Sequence, residues 1–102
     1  MLKAILCVLL FLGNQAVAAA PSAEKLKHCT EVGQIASTVM SSRQKEVSMA
    51  KLMAIKTGDT ALDNLVSSMT EDAYAQSAFR SPENQERAKN EFENKWFALC
   101  LK

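Results

Sequence analysis

Apolar residues recur along much of the chain at alternating steps of three and four, which is the spacing of one face of an α-helix. The longest such stretch begins after Ser22, a good N-cap residue with Glu24 in the following turn, and runs to about Gln44. We therefore predict a first helix over this range, with Gly33 placed to let another helix approach closely. Its inward stripe comprises Leu26, Cys29, Gly33, Ala36, Met40 and Arg43, flanked by Val32, Ile35 and Val39.

Two further helices are predicted in the middle of the chain. Ser48 is a suitable N-cap, and glycine commonly supplies the left-handed residue after a helix end, so a short second helix is expected between Ser48 and Gly58. A third helix is expected to begin at Asp59 or Thr60 and to continue to about Phe79. The apolar face of the second helix comprises Met49, Leu52 and Met53, and that of the third comprises Leu62, Leu65, Val66, Met69 and Ala73.

The last helix has the clearest start, because Ser81-Pro82-Glu83 combines a cap residue, proline at the first helical position and an acid near the positive helix end. The chain has only three Gly and two Pro, and β-branched residues do not run together, which favours helix throughout. The predicted fold class is all-α, a small bundle of about four helices, one of them short. The inner face of the last helix comprises Ala88, Phe92, Trp96, Leu99 and Cys100.

The first eighteen residues have the layout of an export signal. Lys3 precedes an apolar block over 4–12, and Ala16-Val17-Ala18 places small residues where a signal peptidase reads. The alternative, an uncleaved membrane anchor, is disfavoured because the apolar block is much shorter than the roughly twenty residues that a membrane span needs. We expect residues 1–18 to be a signal peptide and 19–102 to be a single helical domain, periplasmic or secreted.

Cys7 is expected to leave with the signal, and the two remaining cysteines, Cys29 and Cys100, predict one disulfide between the first and last helices. Closing a loop of this length stabilises a fold by about 4 kcal/mol on the chain-entropy model. A redox or metal pair is the less favoured alternative, because there is no Cys-x-x-Cys spacing and His28 is the only histidine. We predict no metal and no cofactor.

Charge and composition exclude several classes of function. The chain has 12 basic and 11 acidic side chains, and removal of Lys3 makes the two numbers equal. We therefore do not expect nucleic acid as a partner, and we do not expect stable membrane insertion after signal cleavage. One surface histidine and two oxidised thiols supply no nucleophile–base pair, and no glycine-rich phosphate loop exists. We predict a protein that is not an enzyme and has no catalytic residue.

Two sets of residues are candidates for a special role. Arg43 falls on the inward stripe, where an apolar residue is expected, and we predict a structural clamp in which Tyr74, Asp63 or Asp72 holds the guanidinium and fixes the loop over 44–47. The alternative is an arginine that extends to water. Separately, the methionine-rich face of the short helix, Met49, Leu52 and Met53, is either core or a candidate binding face for a partner protein.

The spaced residues Cys29, Arg43, Ala73-Tyr74, Pro82, Phe92 and Cys100 resemble those of small exported helical proteins from proteobacteria and their prophages. One departure is Glu46, where the resemblance leads us to expect glycine. The resemblance implies a helical disulfide fold and a periplasmic location, and it assigns no catalytic residue to this chain.

The sequence thus favours a non-enzymatic periplasmic domain that binds another envelope protein. Two alternatives remain open. One is an acid-activated periplasmic chaperone, because neutralised carboxylates would leave a self-repelling cationic chain at low pH. The other is a phage-type periplasmic inhibitor or superinfection exclusion protein, which shares the same small helical format.

Overall fold

The computed structural model describes residues 20–102, which form four helices and no strand. The predicted all-α fold class is therefore confirmed. The expected signal peptide over 1–18 lies outside the described residues, as does Cys7. The helices are α1 (Ala23–Gln44), α2 (Met49–Met53), α3 (Thr60–Tyr74) and α4 (Pro82–Leu101).

Helices α1, α3 and α4 begin where local capping predicts, whereas Ser48 precedes α2 without forming a side-chain capping hydrogen bond. The side chain of Ser22 accepts a hydrogen bond from the backbone N–H of Lys25, and Ser81 caps α4 in the same way, with Pro82 as the first helical residue. Of the two proposed caps for α3, Asp59 is the one used, and it accepts from the N–H of Leu62 at 3.2 Å.

Helices α1 and α4 form the main antiparallel pair of the fold. The predicted disulfide between Cys29 and Cys100 is confirmed and joins the start of α1 to the last turn of α4, with a Cα–Cα distance of 5.5 Å. Further along the pair, α4 passes close to Gly33. A Cβ atom at this position would lie 3.2 Å from Glu93 Cγ and 3.3 Å from the Glu93 carbonyl oxygen. The absence of a side chain therefore permits this close approach.

The hydrophobic core lies between α1, the second half of α3 and the first half of α4. Met40, Met69 and Ala73 are completely buried, and Phe92 is nearly so. Helix α2 contributes Leu52 to the same cluster. The remaining buried members are Val32, Ala36, Val39 and Ala88.

The prediction for the inward stripe of α1 is wrong at both ends of the helix. Leu26 is 39% exposed, because α4 ends opposite Cys29 and leaves the first turns of α1 uncovered. At the other end, Gln44 is the buried residue, at 6% exposed, whereas Arg43 is only partly buried. In α4, Leu99 was expected on the inner face but is 45% exposed.

Helices α2 and α3 both end several residues before the predicted positions. Helix α2 ends at Met53 because the chain that follows is held in a loop, where the N–H and hydroxyl of Thr57 donate to Asp63 Oδ1 at 2.8 and 2.7 Å. Gly58 does adopt a left-handed conformation, with φ +92°, but within this loop instead of directly after the helix. Helix α3 ends at Tyr74 because of contacts with the end of α1, described next.

Candidate functional site

The side chain of Gln44, in the last turn of α1, fixes the loop between α3 and α4. Its Oε1 accepts a hydrogen bond from the N–H of Phe79 at 2.7 Å, and its Nε2 donates to the carbonyl of Ser77 at 2.9 Å. These contacts hold residues 77–79 outside the helix. Sequence reasoning missed Gln44, although it lies four residues after Met40, the same step that joins Cys29 to Gly33.

Arg43 and Tyr74, predicted as a clamp, lie together in the structure. The guanidinium carbon is 5.1 Å from the centroid of the Tyr74 ring, and Arg43 Nε donates to the carbonyl of Gln76 at 3.0 Å. The Tyr74 hydroxyl donates instead to the carbonyl of Val47. Arg43 therefore holds the loop after α3, and Tyr74 holds the loop after α1.

The two aspartates considered as partners of Arg43 have other contacts. Asp63 binds Thr57, as described above. Asp72 Oδ2 accepts from Lys95 Nζ at 2.7 Å and from Trp96 Nε1 at 3.1 Å, and so ties α3 to α4.

The turn after α1 has the hydrogen bonds of a Schellman motif. The N–H of Val47 donates to the carbonyl of Ser42 and that of Glu46 donates to the carbonyl of Arg43, both at 3.0 Å. Glu46 occupies the left-handed position, with φ +60°. Glycine is the residue that adopts this conformation without steric cost, so Glu46 carries the cost of a side chain at a left-handed position.

A mainly apolar groove runs along α1 on the side where α3 packs loosely, and we call it the α1–α3 groove. It consists of three adjoining clefts of about 380, 240 and 210 Å³. The central cleft shares His28, Val32 and Leu65 with the second and Ile35 with the third. The groove is lined by His28, Glu31, Val32, Ile35, Thr38, Val39, Ser42, Leu52, Ile55, Asp59, Ala61, Leu62, Leu65, Val66, Trp96, Leu99 and Cys100.

The groove exists because α3 enters the core only with its second half. Met69 and Ala73 are fully buried, whereas Leu62, Leu65 and Val66 are only partly buried. The first half of α3 therefore presents apolar side chains that have the helical spacing of a core stripe but lack a complete set of neighbours. At the two ends of the groove, Leu99 and Ile55 are 45% and 44% exposed.

The candidate binding face on α2 is divided between the interior and the surface. Leu52 is buried and lies at one end of the α1–α3 groove, Met53 is partly buried, and Met49 is exposed. Helix α2 therefore contributes one side chain to the groove.

The charged side chains that line the α1–α3 groove are Glu31 and Asp59, and neither lysine nor arginine lines it. Within residues 20–102 there is no group of three or more His, Cys, Asp or Glu side chains placed to hold a metal ion. Over the same range, no helix combines the length and hydropathy needed to cross a membrane.

No protein-family model matches this chain, and no curated protein or solved structure shows significant similarity to it. The function is therefore inferred from the groove and the residues around it.

Proposed function

We propose that this chain is a non-enzymatic protein-binding domain of the periplasm or the extracellular space, and that it binds its partner in the α1–α3 groove. The observation that carries the proposal is the continuity of three apolar clefts along one face of a small helical domain. Contiguous exposed apolar surface of this kind is typical of interaction sites.

The disulfide supports an oxidising compartment. Cys29 is fully buried against α4 and bonded to Cys100, and such structural disulfides persist mainly in exported proteins. The export signal and the resemblance to small exported proteins favour the same location. The bond also holds α1 against α4, so that one wall of the groove stays in place when a partner binds.

The exposed apolar area is large enough to contribute substantially to affinity. Ile55 and Leu99 are a little under half exposed, and Ile35 and Leu65 are partly exposed. Covering the accessible part of one such side chain contributes about 1 kcal/mol. Four of them contribute about 4 kcal/mol of interaction energy, which offsets part of the entropic cost of association.

Site-specific photocrosslinking in living cells tests the proposal. A photoreactive amino acid replaces Ile35 in the groove, and in a matched control it replaces Glu91, an exposed residue of α4 that does not line the groove. We expect one dominant protein adduct at position 35 that is absent at position 91. The same adducts at both positions, or none at position 35, would contradict the proposal.

An acid-activated chaperone is the second candidate, and the contact between Asp63 and Thr57 is the observation that favours it. The two hydrogen bonds from Thr57 lower the pKa of Asp63 below its usual value of 3.8. Their contribution is present at neutral pH and is lost as the pH falls through this lowered pKa. The loop between α2 and α3, which carries Ile55, would then be held less firmly.

The chaperone candidate requires protection of an aggregating client protein at low pH and none at neutral pH. Asp63→Asn removes the carboxylate charge at every pH and would move protection toward neutral pH. If the wild-type protein fails to protect a client at low pH, this candidate is excluded.

A further inference from the structure

We infer that the occupant of the α1–α3 groove is an amphipathic α-helix of the partner that carries basic side chains beside its apolar face. This inference rests on the proposed function and specifies the chemistry of the partner. It follows from the length of the groove, the polar groups available in it and the sign of its charge.

The groove has the length of a short helix. Along α1 it extends from His28 to Ser42, which corresponds to about 21 Å at the helical rise of 1.5 Å per residue. A partner helix of about four turns would fill it. The wall formed by α1 is suited to such a helix, because the residues that line the groove and keep exposed area recur at the steps of four and three by which helix surfaces interlock: Glu31, Ile35, Thr38 and Ser42.

A helical segment also suits the polar groups of the groove better than an extended one. A helix satisfies its own backbone hydrogen bonds, whereas an extended segment needs partners for its N–H and C=O groups. The hydroxyls of Thr38 and Ser42 already donate to the carbonyls of Gln34 and Thr38 within α1. No sheet edge exists among residues 20–102 to receive a strand.

The charge around the groove favours a basic partner. Glu31 on α1 and Asp59 at the start of α3 flank the central cleft, and every charged side chain within α3 itself is acidic: Asp63, Glu71 and Asp72. Lys95 pairs with Asp72, and Lys56 lies near Asp63. Glu31 and Asp59 form no salt bridge within residues 20–102, so they are the two carboxylates that a basic side chain of the partner would meet.

The same charges argue against a second copy of this chain as the occupant. If two identical grooves faced each other across a two-fold axis through the central cleft, Glu31 and Asp59 of one copy would lie near those of the other. Like charges opposed across an interface weaken association. A helix with basic flanks gains attraction at the same positions.

Trp96 provides a direct readout of occupancy, because it is the only tryptophan of the chain and lines the groove. The probe is a tryptophan-free amphipathic helical peptide of about 15 residues, with leucine on one face and lysine on both flanks. Its matched control has glutamate in place of each lysine. Both are titrated against the oxidised protein purified from the periplasm, and Trp96 fluorescence is recorded at low and at high salt.

We expect the lysine peptide to bind at least about tenfold more tightly than the glutamate peptide, and its advantage to shrink at high salt. The double variant Glu31→Gln/Asp59→Asn should lower affinity for the lysine peptide by roughly threefold to tenfold. Asparagine retains the capping role at position 59. Glu91→Gln, on the outer face of α4, should leave affinity unchanged, and circular dichroism verifies that each variant is folded.

The failures of the two proposals are distinguishable. Equal affinity for both peptides, with no effect of the double variant, would overturn the basic-helix inference while leaving the groove as a binding site. Binding of neither peptide would overturn the basic-helix inference, whereas the proposed function is overturned by the absence of an adduct at position 35. Concentration-dependent dimerisation that Ile35→Asp abolishes would identify a second copy as the occupant and would also overturn the inference.

Discussion

Replacing Gln44 by methionine tests whether the end of α1 determines the path of the chain after α3. Methionine has nearly the same length and volume as glutamine and fits a buried helical position. It cannot accept a hydrogen bond from the N–H of Phe79 or donate one to the carbonyl of Ser77. The substitution therefore removes the two hydrogen bonds to the loop between α3 and α4, together with a weaker one from Gln44 Nε2 to Met40 Sδ, with little change in packing.

The expected cost follows from the two bonds. At 2.7 and 2.9 Å they have normal hydrogen-bond lengths, and each contributes about 1 kcal/mol to stability. At this buried position methionine gains more from burial than the amide does, but the N–H of Phe79 and the carbonyl of Ser77 lose their partner, and these two effects act in opposite directions. We expect a loss of about 2 kcal/mol in the free energy of unfolding, which lowers the Tm of a domain of this size by about 10 °C.

Thermal unfolding followed by far-UV circular dichroism measures the loss, with the disulfide intact in all samples. The control is Gln34→Met, the same chemical change at an exposed position of the same helix. Amide hydrogen exchange should also show faster exchange at Phe79 in the Gln44 variant only. If Gln44→Met and Gln34→Met have the same Tm, the explanation for the end of α3 is wrong.

Three further substitutions have defined outcomes in the same unfolding assay. Glu46→Gly relieves the left-handed strain and should raise the free energy of unfolding by about 1 kcal/mol; a lower Tm would refute this interpretation of the turn. Arg43→Ala removes the hydrogen bond to Gln76 and the stacking on Tyr74, and should lower the Tm by several degrees, whereas an unchanged curve would mean that Arg43 only extends to water. Asp63→Asn removes the carboxylate charge that the Thr57 hydrogen bonds stabilise, so the free energy of unfolding should decrease less steeply as the pH falls below the pKa that Asp63 has in the unfolded chain. An unchanged pH profile would show that this contact does not contribute.

Helix starts could be predicted from the sequence because capping is local. Ser22, Ser81 and Asp59 each bond to an N–H only three residues ahead, so the signal lies within one turn. The disulfide was predictable for a different reason, since the expected export signal, which would remove Cys7, left one pair of cysteines. Neither prediction required knowledge of how the helices pack.

Helix ends and the groove could not be predicted, because both depend on contacts between residues distant in sequence. The end of α3 depends on Gln44, more than thirty residues earlier. Leu62 and Leu65 lie on the same stripe as the buried Met69 and Ala73, at steps of three and four, so periodicity does not reveal that the first half of α3 is only partly buried. The partial exposure of these apolar side chains, which forms the groove, depends on how the helices pack.

The footprint of the partner on this domain tests the central claim most directly. The partner identified by crosslinking at position 35 is added to the domain in solution. Methyl NMR spectra of the domain then report which of its side chains the partner covers. The account predicts shifts at Ile35, Leu65 and Leu99, and none at Ala98, an exposed residue of α4 that does not line the groove. Shifts centred on Ala98, with the methyl groups of the α1–α3 groove unchanged, would contradict it.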